Sequence, residues 1–316
     1  MLNFKHLQYF NAVYQYKNFT QAGDSLFVSQ PTISTSINTL EAELGVKLIE
    51  RSPKNVIFTY EGEQFILWVR KILSLCQEAE TAMHDLSDSA EQHLRLGMSY
   101  AFMDSAAPPV FSDFLDAHPK AKILLEEGSM QKLLRMIHDE QLDLAYNAIP
   151  DAADCVGLDV IPISKAEIRV VLHPDHPLAK LERIPLSLLS KEKLVMMDTQ
   201  SKVNQIMCDA FERQHLPMNV VLNYTQILCM TSLVRFCSYA GIICEAAGCS
   251  TLGHEGLVIR SLEDPIFLDL GFFFRKGRYL SKLGWDLIHF LQAKEQPRLA
   301  AWEAQHAQFL NKKTKA

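Results

Sequence analysis

The chain has 316 residues, 48% of them hydrophobic, and a formal net charge of −6. That length and apolar content predict a soluble globular protein of more than one domain, and no apolar run approaches the ~20 residues needed to cross a bilayer, so no membrane partner is expected. An acidic balance argues against a chain-wide nucleic-acid surface, so the charge has to be read region by region.

Met1-Leu2-Asn3 runs directly into Phe4-Lys5-His6-Leu7 with no cleavable signal, which predicts cytoplasmic residence. Phe19 to Leu26 reads as a short helix capped by Thr20, with Ala22-Gly23 letting another helix approach closely. Leu26-Phe27-Val28 then makes a tight connection with two apolar anchors. In the next stretch Ile33, Ile37 and Leu40 recur at i, i+4, i+7, so one narrow stripe of a helix can be buried while its other faces carry hydroxyls and amides. Ser29 can cap the first turn, Pro31 sits where a missing N–H costs nothing, and Leu44-Gly45 closes the helix. Two short helices across such a turn form a helix-turn-helix, whose second member can enter a DNA major groove. An ordinary surface helix is the alternative these residues leave open. Within residues 1–60, Lys5, Lys17, Lys47, Arg51 and Lys54 oppose Asp24, Glu41, Glu43 and Glu50, leaving +1. Affinity for phosphates grows with the number neutralised, so so neutral a head needs a second one beside it. Arg51 and Lys54 flank a turn between Leu48-Ile49 and Val56-Ile57-Phe58, which reads as a wing with a basic tip on the backbone or minor groove, or else as a solvated hairpin. The residues expected to meet double-stranded DNA are Thr20, Ser29, Gln30, Pro31, Thr32, Ser34, Thr35, Ser36, Asn38, Arg51 and Lys54.

Phe10, Phe19-Thr20-Gln21-Ala22, Leu26, Val28-Ser29-Gln30-Pro31, Ser34, Ile37, Leu40-Glu41, Leu44-Gly45, Leu48, Arg51 and Thr59-Tyr60-Glu61-Gly62 together resemble the LysR-type transcriptional regulators. The resemblance implies a DNA-binding regulator, a homodimer or a homotetramer built as a dimer of dimers on an interrupted inverted repeat. One departure bears on recognition. After Ser34 the family usually has a basic residue and a glutamine, whereas this chain has Thr35 and Ser36, neither of which makes the bidentate arginine contact to guanine.

From Thr59, a cap followed by Glu61 and Glu63 at the positive end of a helix, apolar residues fall at Phe65, Val69, Ile72, Cys76, Ala79, Met83 and Leu86. Spacings that alternate between four and three residues predict a coiled-coil seam, on a helix from Tyr60 to Leu86 about 40 Å long. A long helix inside one domain is the alternative. Ser87 to Glu91 then reads as a polar hinge.

Beyond it strands and helices alternate: strands at Leu94 to Met98, Ile123 to Leu125 and Asp143 to Ala148, and helices at Pro108 to Ala117, with Phe111, Phe114 and Leu115 on one face, and at Gln131 to His138. A second such unit follows from Ile168 to Cys244, and Leu268 to Leu291 looks like a return to the first. Alternation predicts parallel sheet covered on both sides. Two lobes joined by two crossings make a clamshell, with Val160 to Ile163 and Pro265 to Leu268 as its hinge. The expected fold class is therefore α/β: an N-terminal winged helix-turn-helix over residues 1–59, a dimerising linker helix over 60–89, and a two-lobed effector-binding domain over 90–316. Lobe I is expected at about 93–162 and 266–294, and lobe II at about 163–265. Leu94-Arg95-Leu96-Gly97, His118-Pro119, Leu142-Asp143-Leu144-Ala145, His176-Pro177-Leu178-Ala179, Gly241-Ile242 and Arg275-Lys276-Gly277-Arg278 extend the family resemblance, which implies a fold like that of periplasmic solute-binding proteins. Where relatives have a proline after the Gly241 strand, this chain has Glu245, expected to set a carboxylate at the cleft rim.

Ligands of open α/β sheets bind beyond the carboxyl ends of strands, where loops lead into helix N-termini. Here those loops are Ser99 to Phe102, Gly128 to Met130, Asn147 to Ile149 and Thr199 to Ser201, and hydroxyls beside free N–H groups favour a carboxylate or another anion, so a small organic acid is the expected effector. The effector-binding candidates are Ser99, Ser129, Ala148, Thr199, Gln200 and Ser201, with Tyr100, Phe102, Met130, Ile227 and Cys244 as apolar walls. Relatives often hold the effector's acid group from positions matching Thr199 to Ser201 and Ser99. Helix caps and core residues without ligand duty are the alternatives.

No GxSxG elbow, HExxH pair, P-loop or GxGxxG occurs, so neither enzyme activity nor a cofactor is expected. His173-Pro174-Asp175-His176 reads as a loop rather than a metal site. The seven cysteines, Cys76, Cys155, Cys208, Cys229, Cys237, Cys244 and Cys249, form no CxxC pair and suit a reducing compartment. Some relatives sense peroxide through a cysteine where this chain has Ser201. Cys208 lies farther into the following helix, so a redox-sensing regulator stays as one alternative and a cytoplasmic solute-binding protein as another. Glu303 to Leu310 reads as a surface helix.

Overall fold

The computed structural model describes residues 2–51, 56–86, 91–99, 102, 107–246 and 256–313, without the side chains of residues 51, 107–109, 246, 305 and 308–313. The chain divides into two compact units, Met1–Asp88 and Ser89–Ala316.

The first unit is built from α1 (Phe4–Tyr16), α2 (Phe19–Ser25), α3 (Gln30–Leu44), a hairpin of β1 (Ile49–Arg51) and β2 (Val56–Phe58), and α4 (Tyr60–Asp85). The cap of α2 is Asn18, not Thr20: its side-chain oxygen accepts from the Thr20 and Gln21 amides at 2.8 and 3.1 Å. Thr20 lies inside the first turn, and only the extended residue before a helix can cap it. At Gly23 a Cβ would lie 2.6 Å from the Val28 carbonyl oxygen and 3.5 Å from the Gln30 amide, so the turn and the start of α3 both come close to it. In that turn Leu26 and Val28 are the anchors, and Phe27 is thrown out with 97% exposure. Helix α3 follows its sequence signals, with Ser29 accepting from the Thr32 amide, Pro31 in the first turn and Gly45 left-handed at φ 71°. Its stripe of Ile33, Ile37 and Leu40 is fully buried.

The seam on α4 needs a correction. Phe65, Val69 and Ile72 do not wait for a partner chain; with Ile66 and Leu73 they join the head's own core, where Phe65 meets Phe10 at 5.5 Å between ring centroids. Beyond Tyr60 in the first turn, the large apolar residues left exposed on the helix are Leu67, Trp68, Leu75 and Met83, with Leu86 at its end. A period of 3.5 residues is blind to which of two adjacent stripes the tertiary fold has already covered.

The second unit holds β3 (Gln92–Met98), α5 (Ala107–Ala117), β4 (Ala121–Glu127), α6 (Met130–His138), β5 (Leu144–Ala148) and β6 (Leu158–Leu172), then a 3-10 turn (Pro177–Lys180), β7 (Arg183–Ile184), α7 (Leu186–Leu189) and β8 (Leu194–Met197). It continues with α8 (Lys202–Arg213), β9 (Val220–Tyr224), α9 (Ile227–Cys237), β10 (Ala240–Ala246), β11 (Val258–Arg275) and α10 (Lys282–Lys313). One sheet runs β4-β3-β5-β11-β6-β10-β8-β9, with β7 beside β11. Its two ends are parallel, as alternation predicts, but β11 runs antiparallel to both β5 and β6, and β6 antiparallel to β10. The middle is antiparallel because β11 returns along the whole of β6, from Val258 opposite Leu172 to Arg275 opposite Leu158. The two expected hinge segments lie on these two strands. Ile266 to Leu268 face Ala166 to Ile168, whereas Val160 to Pro162 face Gly271 to Phe273.

Helix α5 buries Val110 and Phe114 and leaves Leu115 40% exposed, so Leu115 is off the packed face. The region expected to be a separate surface helix continues α10 instead, past Pro297, and buries Trp302 and His306. Trp302 packs edge-on to Phe267 of β11, which sequence spacing has no means of announcing. His176 is buried too, with Nδ1 accepting from the Leu178 amide and Nε2 3.4 Å from Glu192. Among the described residues no group of three or more His, Cys, Asp or Glu could hold a metal.

Candidate DNA-reading face and effector cleft

Because Ile33, Ile37, Leu40 and Glu41 turn inward, with Leu44 half-buried against the same core, the polar face of α3 is the one turned outward. Thr20, Ser29, Gln30, Pro31, Thr32, Thr35 and Asn38 are exposed, and Ser34 and Ser36 are half-buried. The Ser29 and Thr32 hydroxyls share a hydrogen bond of 2.8 Å at the start of the helix, where free amides favour a phosphate. Gln30 and Asn38 carry the amide that pairs twice with adenine, and the threonine methyls suit thymine. Lys54 and the wing turn lie outside the described residues, as does the Arg51 side chain.

What holds this face at its angle is Glu41, a residue whose burial the sequence does not advertise. Its carboxylate, 5% exposed, accepts from the Leu48 and Ile49 amides at 2.9 and 3.1 Å and pairs with Lys47 at 2.6 Å. Burial pushes this carboxyl up, but the Lys47 ammonium and the two amides together outweigh it and hold it below its ordinary value. The first strand of the wing is thereby tied to the last turns of α3.

In the second unit the carboxyl ends of β3, β5 and β8 and the first turns of α6 and α8 enclose a cavity of about 60 Å³. Of the expected effector residues, Ser99, Phe102, Ser129, Met130, Ala148, Ser201 and Cys244 line it. Thr199 and Gln200 are exposed, and the Ser129 hydroxyl donates to the Gln200 side-chain oxygen at 3.4 Å, across the mouth between the lobes. Ile227 starts α9 and packs against the core. Tyr100 lies outside the described residues. Glu245 is ion-paired with Arg169 on β6 and is not among the lining residues.

Gly128 and Asn147, from two of the expected loops, also line the cavity, as do Tyr146, Met197, Asp198, Lys202, Val203, Leu268 and Leu270, which were not expected there. Lys202 adjoins Ser201, so the first helical turn was signal enough to find it. Leu268 and Leu270 had none, since only the pairing of β11 with β5 and β6 brings them in.

Ser129 and Ser201 cap α6 and α8, accepting from the Lys132 and Asn204 amides at 3.4 and 3.1 Å. Two positive helix ends thus meet at one small chamber, with Phe102 against Tyr146 at 4.4 Å between centroids on its apolar side. The Cys244 thiol is pushed up to about 12, first by burial and then by Glu245. Burial, then Glu212 and Asp209, also raise Cys208, whose Sγ lies 3.4 Å from Asn204 Oδ1.

Two family models match the chain: the LysR substrate binding domain over residues 87–296, and the bacterial regulatory helix-turn-helix protein of the lysR family over residues 4–63. A probable RuBisCO transcriptional regulator of Thalassiosira pseudonana is 26% identical over 77% of this chain and 81% of its own length. A hydrogen peroxide-inducible genes activator of Dickeya chrysanthemi is 29% identical over 62% of this chain and 64% of its own. Among solved structures, a full-length OxyR variant from Pseudomonas aeruginosa is similar with a TM-score of 0.71 and 20% identity, over 92% of this chain and 98% of that one.

Proposed function

The chain belongs to the LysR family of transcriptional regulators, and on that footing we propose that its action at a promoter is controlled by a small organic acid bound in the chamber of the effector-binding domain. The observation that carries the reading is the convergence of two serine-capped helix N-termini on one small, largely apolar chamber that also receives Ser99. Such ends offer amide hydrogens and partial positive charge to a carboxylate, while the aromatic side accepts its carbon frame. The acid acts by binding one arrangement of the lobes better than the other, and only that difference in affinity can move the heads.

In this reading residues 1–59 read DNA, 60–89 pair the chains and 90–316 sense the effector. Regulators of this family bind DNA and small effectors as oligomers; a dimer or tetramer in the cytoplasm is the form proposed here. Thr20, Ser29 to Thr32, Ser34 to Ser36, Asn38 and the wing's Arg51 and Lys54 are the proposed DNA contacts. A thermal-shift screen of small organic acids tests the chamber. A true effector raises Tm, and Ser201→Ala weakens it about tenfold, the size of one lost hydrogen bond to a charged group. A hit that survives both Ser201→Ala and Ser99→Ala counts against the assignment.

Similarity to a peroxide-inducible activator favours a second reading, in which a thiol is the sensor. The nucleophile toward peroxide is the thiolate, which attacks an oxygen and expels hydroxide to leave a sulfenic acid, and burial raises both Cys208 and Cys244 and so favours their protonated form. Thiol labelling with and without peroxide separates the two: the acid-sensor reading expects equal labelling of these two cysteines.

A further inference from the structure

Lys202 opens α8 and is among the residues lining the chamber. Its ammonium is ion-paired with Asp151, which lies on the loop after β5, so the pair spans the mouth between lobes. The two partners are unequally placed: the Lys202 side chain is 21% exposed, that of Asp151 68%. The only other charged residue lining the chamber, among the described residues, is Asp198, whose Oδ1 is engaged by the Gln200 amide at 2.8 Å.

We propose that Lys202 selects the charge of the effector, and that Asp151 is the counter-ion it releases when an acid enters. This rests on the acid-binding reading above and narrows it to monocarboxylates. An entering carboxylate would meet the same ammonium from within the chamber, whereas Asp151, 68% exposed, meets it mostly in water, where an ion pair contributes little. A second carboxylate on the same molecule would face Asp198, so a dianion is disfavoured.

The test is titration of the full-length protein with C2 to C7 monocarboxylates, benzoate and acetate among them, alongside benzamide as neutral control and phthalate as dianion. Lys202→Met is expected to weaken the best monocarboxylate about tenfold, as for one lost charge-assisted contact, and to leave benzamide unchanged. Lys202→Arg restores most of the binding, which separates loss of charge from loss of fold. Asp151→Asn is expected to tighten the same acid about threefold, because nothing then competes for the ammonium. Opposite signs for Lys202→Met and Asp151→Asn are the signature. If both weaken the acid alike, the pair is only a clasp between lobes and the proposal fails while the acid-binding reading stands. Acid binding indifferent to Lys202→Met overturns it in the same way. If no monocarboxylate binds the unaltered protein the proposal fails, and the acid-binding reading falls with it only if phthalate does not bind either.

Discussion

Glu41 accepts two backbone amides and an ammonium inside the head, and its carboxyl is held below its ordinary value of 4.5. A depressed carboxyl contributes stability that is fully present above that ordinary value and is lost as pH falls through the folded one. The thermal stability of the head is therefore expected to fall in acid below about pH 4.5, read as a lower Tm, and Glu41→Gln to flatten that limb. Glu41→Ala strands two amides and is expected to cost about 2 kcal/mol by denaturant titration at neutral pH. Lys47 adds little to that figure, since its ammonium is 75% exposed. Gly62 is a second position where one atom matters. A Cβ there would sit 2.2 Å from the Leu48 carbonyl oxygen, so Gly62→Ala must push α4 off the strand beside it. An overpacking cost of about 2 kcal/mol is expected, read as a lower Tm for the head.

Among the elements, α4 and α10 are the two whose sequence patterns were least informative about their surroundings. Helix α4 spends its first turns on the head's core, and Trp68, at 62% exposed, Leu75, at 60%, and Met83, at 64%, then stand in water. Side chains of that size exposed along one helix call for a second copy, in line with the oligomers of this family. Leu75→Asp is expected to weaken self-association at least about 100-fold, read by sedimentation, because a carboxylate cannot be buried unpaired in the seam. Val69→Asp, on the neighbouring stripe, instead unfolds the head. Helix α10 anchors itself through Trp302, 8% exposed against Phe267. Trp302→Ala is expected to cost the second unit about 3 kcal/mol, seen as earlier thermal unfolding.

For the whole molecule, a head with a surplus of one positive charge and an overall balance of −6 sets how DNA can be held. Each phosphate neutralised contributes roughly 0.9 to the slope of log affinity against log salt, so two paired heads give about twice the slope of one. The Leu75→Asp protein is expected to bind promoter fragments weakly and with about half the salt slope of the unaltered protein, measured by fluorescence anisotropy. An equal slope would mean that one head already makes all the contacts.

The sequence by itself determined the head and the class of the protein. Ser29, Pro31, Gly45 and the Ile33, Ile37, Leu40 stripe act within one or two helical turns, where caps, proline geometry and periodicity are local and additive. The same locality made Ser99, Ser129 and Ser201 legible, since each is the last polar residue before a helix or after a strand. Tertiary structure decided the rest. Which stripe of α4 is free depends on α1 and β2 having covered the other. Leu268 and Leu270 reach the chamber through strand pairing across more than a hundred residues, and Lys202 meets Asp151 only when the lobes face each other. No local preference encodes those meetings, because register between distant strands is set by the burial of the whole sheet at once.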